Sequence, residues 1–248
     1  MNYTIHRYES VGSTNDIAIR MAGEGASEGT VVVAGEQMAG RGRHGRTWTS
    51  PPGCGLYLSI ILRPERPWEQ LWQTAFVASL ATAEAIRHIT GLRAQIKWPN
   101  DILINGRKVS GILIESRSVA GDDSPRPVVV GIGINVNTPS FPIELSHKAT
   151  SLYLESGSQG MLDLSALETT LLEFIDVWYA QYIDEGFEPI LEAWRDLDCT
   201  SGRRVDVHTS NGIVSGTAVM VNSGGDMVVE CTDGRMESIS AGEVFFTI

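Results

Sequence analysis

Three apolar runs limit the folds open to this chain more than any other feature. They are GTVVVAGEQ (29–37), GLYLSIILRP (55–64) and PVVVGIGINVNT (127–138). Each is short and bounded by glycine, proline or polar residues, and β-branched and aliphatic side chains fill it, which is the pattern of a buried strand. AQIKWPNDILINGRKVSGILIES (94–116) reads as two or three more strands, and YTIHRYESV (3–11) as another. Asn105-Gly106 predicts a hairpin, because a type I′ turn needs positive φ at both central residues. The helices do not alternate with these strands. One starts near Ser13, Thr14 or Asn15, any of which would cap it. WEQLWQTAFVASLATAEAIRHIT (68–90) has apolar positions three and four apart and predicts a long, mostly buried helix. Two further helices are expected together at 164–186 and 187–198. Strands in hairpins with helices in blocks specify an α+β fold with a mixed, largely antiparallel sheet, not a doubly wound parallel one.

Beyond residue 200 the texture changes. RRVDVHTSNGIVSGTAVMVNSGGDMVVECTDGRMESISAGEVFF (203–246) alternates short β-prone runs with NG, GG and DG turns. That pattern predicts a small β-barrel. The expected division is therefore 1–199 for the larger domain and 200–248 for the small one. SVAGDDSPRP (118–127) reads as a surface loop.

Totals exclude several functions. No apolar run reaches the roughly 20 residues of a membrane-spanning helix. The N-terminal stretch has no basic flank followed by an apolar segment, so it is no secretory signal. Three scattered cysteines point to reduced thiols, and hence to a cytoplasmic protein without a membrane partner. A net charge of −11 argues against wholesale nucleic-acid binding.

Against that charge, GEQMAGRGRHGRTWTS (35–50) places Arg41, Arg43, His44 and Arg46 among Gly40, Gly42 and Gly45. Glycine lets backbone approach a ligand closely, and arginine offers planar, two-pronged donors to carboxylate or phosphate. The loop therefore reads as a site for an anion with several oxygens, with Trp48 placed to close over it. The phosphate signatures GEGASEGT and GIGINV lack the lysine or the third glycine of the nucleotide motifs. Lys97 and Lys108 supply further positive charge; Lys97 either serves the site or pairs with Asp101. Asp101, Glu115 and Asn135 bear oxygens suited to Mg²⁺ or to polar substrate atoms, while Asp101 and Asn135 also suit plain turn capping.

Four ordered motifs, STN (13–15), EQMAGRGRHGRTW (36–48), KWPNDILINGRKVSGILIE (97–115) and GIGINVN (131–137), resemble those of the biotin protein ligases. ATSL (149–152) and the terminal β segment extend the resemblance over essentially the whole chain. It implies a class II synthetase-like catalytic domain with an SH3-like C-terminal barrel. It implies ATP and Mg²⁺ as cofactors, biotin as substrate and biotinyl-5′-AMP as intermediate, with transfer to a lysine of a biotin carboxyl carrier protein. By motif, Ser13, Thr14, Asn15 and Gln37 contact biotin. Arg41, Gly42, Arg43 and Lys108 bind its carboxylate and the adenylate phosphate, with Gly111, Gly131 and Gly133 allowing close approach. Lys108 and Arg43 are the catalytic candidates, Lys108 as a charge and not a base. Trp48, Lys97, Asn100, Asp101 and Asn135 belong to the ATP side, Asp101 meeting Mg²⁺ or a lysine. His44 receives no role. The pattern starts within the first dozen residues, so no DNA-binding segment and no DNA partner are expected. Family sheets associate edge to edge, which makes a homodimer an expectation. Two rivals stand beside this reading. One is a lipoate or octanoyl ligase or transferase of the same fold, and the other a nucleic-acid-binding module using the Arg-Gly run.

Overall fold

The computed structural model describes residues 1–116, 126–157 and 160–247, so residues 118–125 of the expected surface loop lie outside it. The apolar runs form strands β1 (Thr4–Val11), β2 (Thr30–Gln37) and β3 (Gly55–Leu62). They are followed by β4 (Gln95–Lys97), β5 (Asp101–Ile104), β6 (Arg107–Ser116) and β7 (Val128–Asn135). Together they make one sheet in the order β1-β2-β3-β7-β6-β5-β4. Only β1 and β2 run parallel; every other neighbour is antiparallel, as the hairpin signals require. The turn at Asn105 and Gly106 has φ of 50° and 76°, the type I′ pattern read from the sequence.

Side-chain alternation gives this sheet two different faces. Val31, Val33, Leu58, Ile60, Ile112, Val130 and Ile132 point into the main core. There they meet α2 (Thr74–Thr90), α4 (Leu164–Glu185) and α5 (Phe187–Leu197). On the opposite face Val32, Ile61 and Val129 pack under Ala18 and Ala22 of α1 (Thr14–Gly23). The short α1 covers only part of that face. Beyond it the sheet presents Gly131, Gly133 and Gly111, with Gly111 opposite Gly133 across β6 and β7. This bare strip is the floor of the site.

Two local expectations change. The predicted helix over 68–90 is a 3₁₀ segment over Trp68–Gln73 before α2 proper; tight turns are common at helix starts. Gly91, at φ 70°, ends α2 in the left-handed cap position. Ser13 sits at the N-cap of α1 without a side-chain capping bond, so its hydroxyl is unspent there.

A single turn, α3 (Leu152–Glu155), follows the loop after β7. The C-terminal strands are β8 (Arg204–Thr209), β9 (Gly212–Val221), β10 (Met227–Cys231), β11 (Met236–Ile239) and β12 (Glu243–Phe246). They form an antiparallel sheet in the order β11-β10-β9-β8-β12. Its two end strands, four residues each, are not paired with one another, so the ladder is not a closed barrel. The sheets are joined through Trp98, whose indole N–H donates to the Gly225 carbonyl at 3.0 Å. Among the described residues no helix is long and apolar enough to cross a membrane.

Candidate active site

A cavity of about 680 Å³ opens over the glycine floor. At one end polar groups hold one another in place. Ser59, the polar residue in an otherwise apolar β3, donates from Oγ to Asn15 Oδ1 at 2.5 Å and lies 2.8 Å from Thr14 Oγ1. Asn15 Nδ2 donates to Glu115 Oε2 at 2.7 Å. Gln37 Oε1 accepts from the Thr14 backbone N–H at 2.8 Å, and its Nε2 donates to Ser50 Oγ at 3.0 Å. These side chains are buried or half-buried, so their hydrogen-bonding directions are fixed before any ligand arrives. The Ser13 hydroxyl, buried nearby, makes no side-chain hydrogen bond among the described residues.

The arginine-rich loop folds back on itself as a hairpin over this cavity. Gln37 faces Ser50, Arg41 faces Thr47, and the Trp48 N–H donates to the Gly40 carbonyl at 2.9 Å. A Cβ at Gly40 would stand 2.4 Å from the Trp48 carbonyl oxygen, so the hairpin closes only with glycine there. The tip turns through His44 and Gly45, at φ 55° and 71°, and the Gly42 N–H donates to the Arg46 carbonyl at 2.7 Å. Trp48 lies over the floor. A Cβ at Gly133 would be 2.6 Å from its ring, and the ring nitrogen is buried without a hydrogen-bond partner among the described residues.

The cations divide by partner. Arg41 makes a two-pronged pair with Asp16 at 2.6 and 2.8 Å and reaches Glu115 at 3.2 Å, because the first turn of α1 sets Asp16 beneath the loop. Arg46 pairs with Glu243 of β12 through both terminal nitrogens. Lys108 pairs with Asp101, while its Nζ stands 5.4 Å from the Trp48 ring centre. Two cations differ. Arg43 donates to the neutral Asn100 Oδ1 at 3.1 Å, and the Lys97 Nζ stands 5.3 Å from the Phe246 ring centre. Neither has a carboxylate at ion-pair distance among the described residues. Burial lowers the pKa of both, against an upward pull from Asp101 and Glu243 that stops short of contact. Arg43 remains charged regardless. Here the fold bears the cost of partly desolvating positive charge without a carboxylate partner among the described residues, which an anionic ligand would repay.

Of the two alternatives for Lys97, pairing with Asp101 is not found: Asp101 meets Lys108, and the Lys97 ammonium lies over Phe246. Asp101 is engaged by Lys108, and among the described residues no group of three His, Cys, Asp or Glu side chains gathers that could hold a metal ion. Asn135 is buried, its Nδ2 donating to the Thr150 carbonyl at 3.1 Å, and its side chain borders the cavity. Gly42 and Gly111 border it as well. Ser59, Asp16, Glu243 and Phe246 were not singled out from the sequence. Of these only Ser59 leaves a local signal, a hydroxyl at a buried strand position.

Since burial holds the Lys97 pKa down, anion binding pulls it back up, and affinity for the anion falls as pH rises through the depressed value. Lys97→Arg removes that titration. The expected result, read by ligand titration at several pH values, is an alkaline decline in the wild type and a flat profile in the variant.

Such an α+β fold, with polar hydrogen-bonding groups at one end of an open sheet face and, at the other, half-buried cations that have no carboxylate partner among the described residues, defines a class. It is a site able to accommodate an uncharged polar group beside an anion. The chain belongs to the biotin/lipoate A/B protein ligase family, which matches residues 8–135; residues 200–247 match the biotin protein ligase C-terminal domain. It is 39% identical to the bifunctional ligase/repressor BirA of Bacillus spizizenii, over 93% of this chain and 70% of that protein. It is 35% identical to the biotin–[acetyl-CoA-carboxylase] ligase of Paracoccus denitrificans, over 94% of this chain and 97% of that one. The biotin protein ligase of Aquifex aeolicus, solved with biotin and ATP, superimposes with a TM-score of 0.83 at 30% identity, covering 98% of each chain.

Proposed function

We propose that this chain is a biotin protein ligase. It activates biotin with ATP to biotinyl-5′-adenylate and passes the acyl group to a lysine of a biotin carboxyl carrier protein. The observation that carries this reading is the pair of half-buried cations, Arg43 and Lys97, without carboxylate partners among the described residues, beside Lys108.

In the first step a biotin carboxylate oxygen attacks the α-phosphorus of ATP. The P–O bond to the β-phosphate breaks, and pyrophosphate leaves with its electrons. Both partners are anions, so the barrier rests on cancelling their repulsion and stabilising charge that builds on the phosphoryl oxygens. Arg43, aimed by Asn100, and Lys97 are fixed positive charges for that purpose. Lys108 joins them by exchanging Asp101 for a ligand oxygen. ATP carries Mg²⁺ on its own phosphates. In the second step the carrier lysine's amine attacks the anhydride carbonyl, the amide forms, AMP departs, and the amine gives up its proton. The hairpin over the cavity keeps water from the anhydride meanwhile.

The choice of acid follows from hydrogen-bond satisfaction. Biotin's ureido ring has donors and an acceptor for Ser13, Thr14, Asn15 and Gln37. A dithiolane or alkyl chain offers none, would leave the buried Ser13 hydroxyl without a partner and would set an apolar group against polar side chains, a costly mismatch. A nucleic-acid module is disfavoured because Arg41 and Arg46 are already neutralised by Asp16, Glu115 and Glu243.

Incubation with biotin, ATP, Mg²⁺ and a carboxyl carrier domain should add one biotinyl group to the carrier, as read by mass spectrometry. An unmodified carrier would overturn the reading. Lys108→Ala should lower biotin-dependent ATP–pyrophosphate exchange about 10²-fold without loss of folding. Undiminished exchange would remove Lys108 from the mechanism.

A further inference from the structure

The C-terminal sheet reaches the site along β12, from Gly242 to Phe246. Gly242, Glu243 and Phe246 border the cavity, which otherwise belongs to the larger sheet and its loops. Gly242 lets this strand approach β8 closely, since a Cβ there would stand 2.8 Å from Val207 and 3.0 Å from the His208 carbonyl. Glu243 is then presented to the arginine loop, 197 residues earlier in sequence. It takes both terminal nitrogens of Arg46, in the two-pronged geometry that fixes orientation as well as distance. Arg46 closes the turn that carries Arg43, because the Gly42 N–H donates to the Arg46 carbonyl and the Arg46 N–H to the Arg43 carbonyl. Glu243 also pulls upward on the pKa of both Arg43 and Lys97 without pairing with either.

We propose that Glu243 is a positioning residue and that the Arg46–Glu243 pair is a latch through which the C-terminal sheet holds the arginine loop closed. The part of this inference that concerns the intermediate rests on the ligase reading above. The latch gives the C-terminal sheet a task at a distance: it fixes Arg46, the turn transmits that to Arg43, and the closed hairpin retains the acyl-adenylate. Opening the latch frees the loop, and Arg43 with it, while leaving Lys97 and Lys108 in place.

The loop carries its own reporter, since trypsin cleaves after arginine. In ligand-free protein, Glu243→Gln should speed cleavage after Arg43 about five- to tenfold, with thermal unfolding unchanged. Arg46→Gln should do the same, and the two together should be no faster than either alone. The charge swap Arg46→Glu with Glu243→Arg should return cleavage after Arg43 to near the wild-type rate. A role of Glu243 that does not run through Arg46 would not be rescued by that swap, and a purely structural pair would lower the thermal unfolding temperature in the single variants. In loaded protein, Glu243→Gln should release preformed biotinyl-adenylate about five- to tenfold faster. Equal cleavage in wild type and Glu243→Gln, multiplying effects in the double variant, or no rescue by the swap would each overturn the latch. The proteolysis needs no substrate, so its failure counts against the latch alone. Absence of adenylate from the wild-type chain counts against the ligase reading and the retention it supports.

Discussion

Arg43→Ala will lower biotin-dependent ATP–pyrophosphate exchange by about 10²–10³-fold, the usual cost of removing one fixed donor from a developing oxyanion. The position is suited to so large an effect. Its guanidinium is half-buried, receives no carboxylate among the described residues, and is aimed by a neutral amide whose own Nδ2 is tied to the Ile112 carbonyl. A side chain kept for stability would be expected to pair internally, as Arg7 does with Glu168 at 2.7 and 2.8 Å. Removing Arg43 relieves a desolvated charge, so the thermal midpoint of the ligand-free protein should stay level or rise while activity collapses. A variant that loses stability and activity together would make Arg43 a structural residue.

The second large effect is steric. Gly131→Ala should raise the KM for biotin by about 10²-fold, the scale of a 1 Å misplacement at a site. A Cβ on residue 131 would lie 2.2 Å from Asn15 Oδ1. Asn15 has little room to yield, held by Ser59 on one atom and by Glu115 on the other. The methyl group therefore displaces Asn15 and breaks the polar network on the side where the ureido ring would bind. Gly23→Ala is the control, because a Cβ there meets nothing within 4 Å. Wild-type KM in Gly131→Ala would mean the glycine floor is not shaped for the substrate.

The fold was largely legible because its determinants are local. β-branched runs, the Asn-Gly turn and the three- and four-residue helical spacing each state their structure within a dozen residues. Closure of the C-terminal barrel was not local, since it depends on whether two short end strands meet. The site divided the same way. The arginine loop, Lys97 and Lys108 were visible as residue types, because positive charge among glycines is unusual in an acidic chain. Their state of pairing was invisible. Nothing in the sequence tells that Arg41 is neutralised by Asp16 and Arg46 by Glu243 while Arg43 is left to Asn100. Those partners lie 25, 197 and 57 residues away, and only the folded sheet brings them together. Ser59 shows the intermediate case. Its alternation in β3 marks a buried hydroxyl, but its neighbours come from α1, across the sheet face.

On the ligase reading, one end of the cavity is built for a ureido ring and the other for the anions of an acyl-phosphoryl exchange. Acid-dependent ATP–pyrophosphate exchange, run in parallel with biotin, lipoate and octanoate, tests it most directly. Exchange with biotin and none with the other two is the predicted result; exchange with lipoate or octanoate and none with biotin would contradict it.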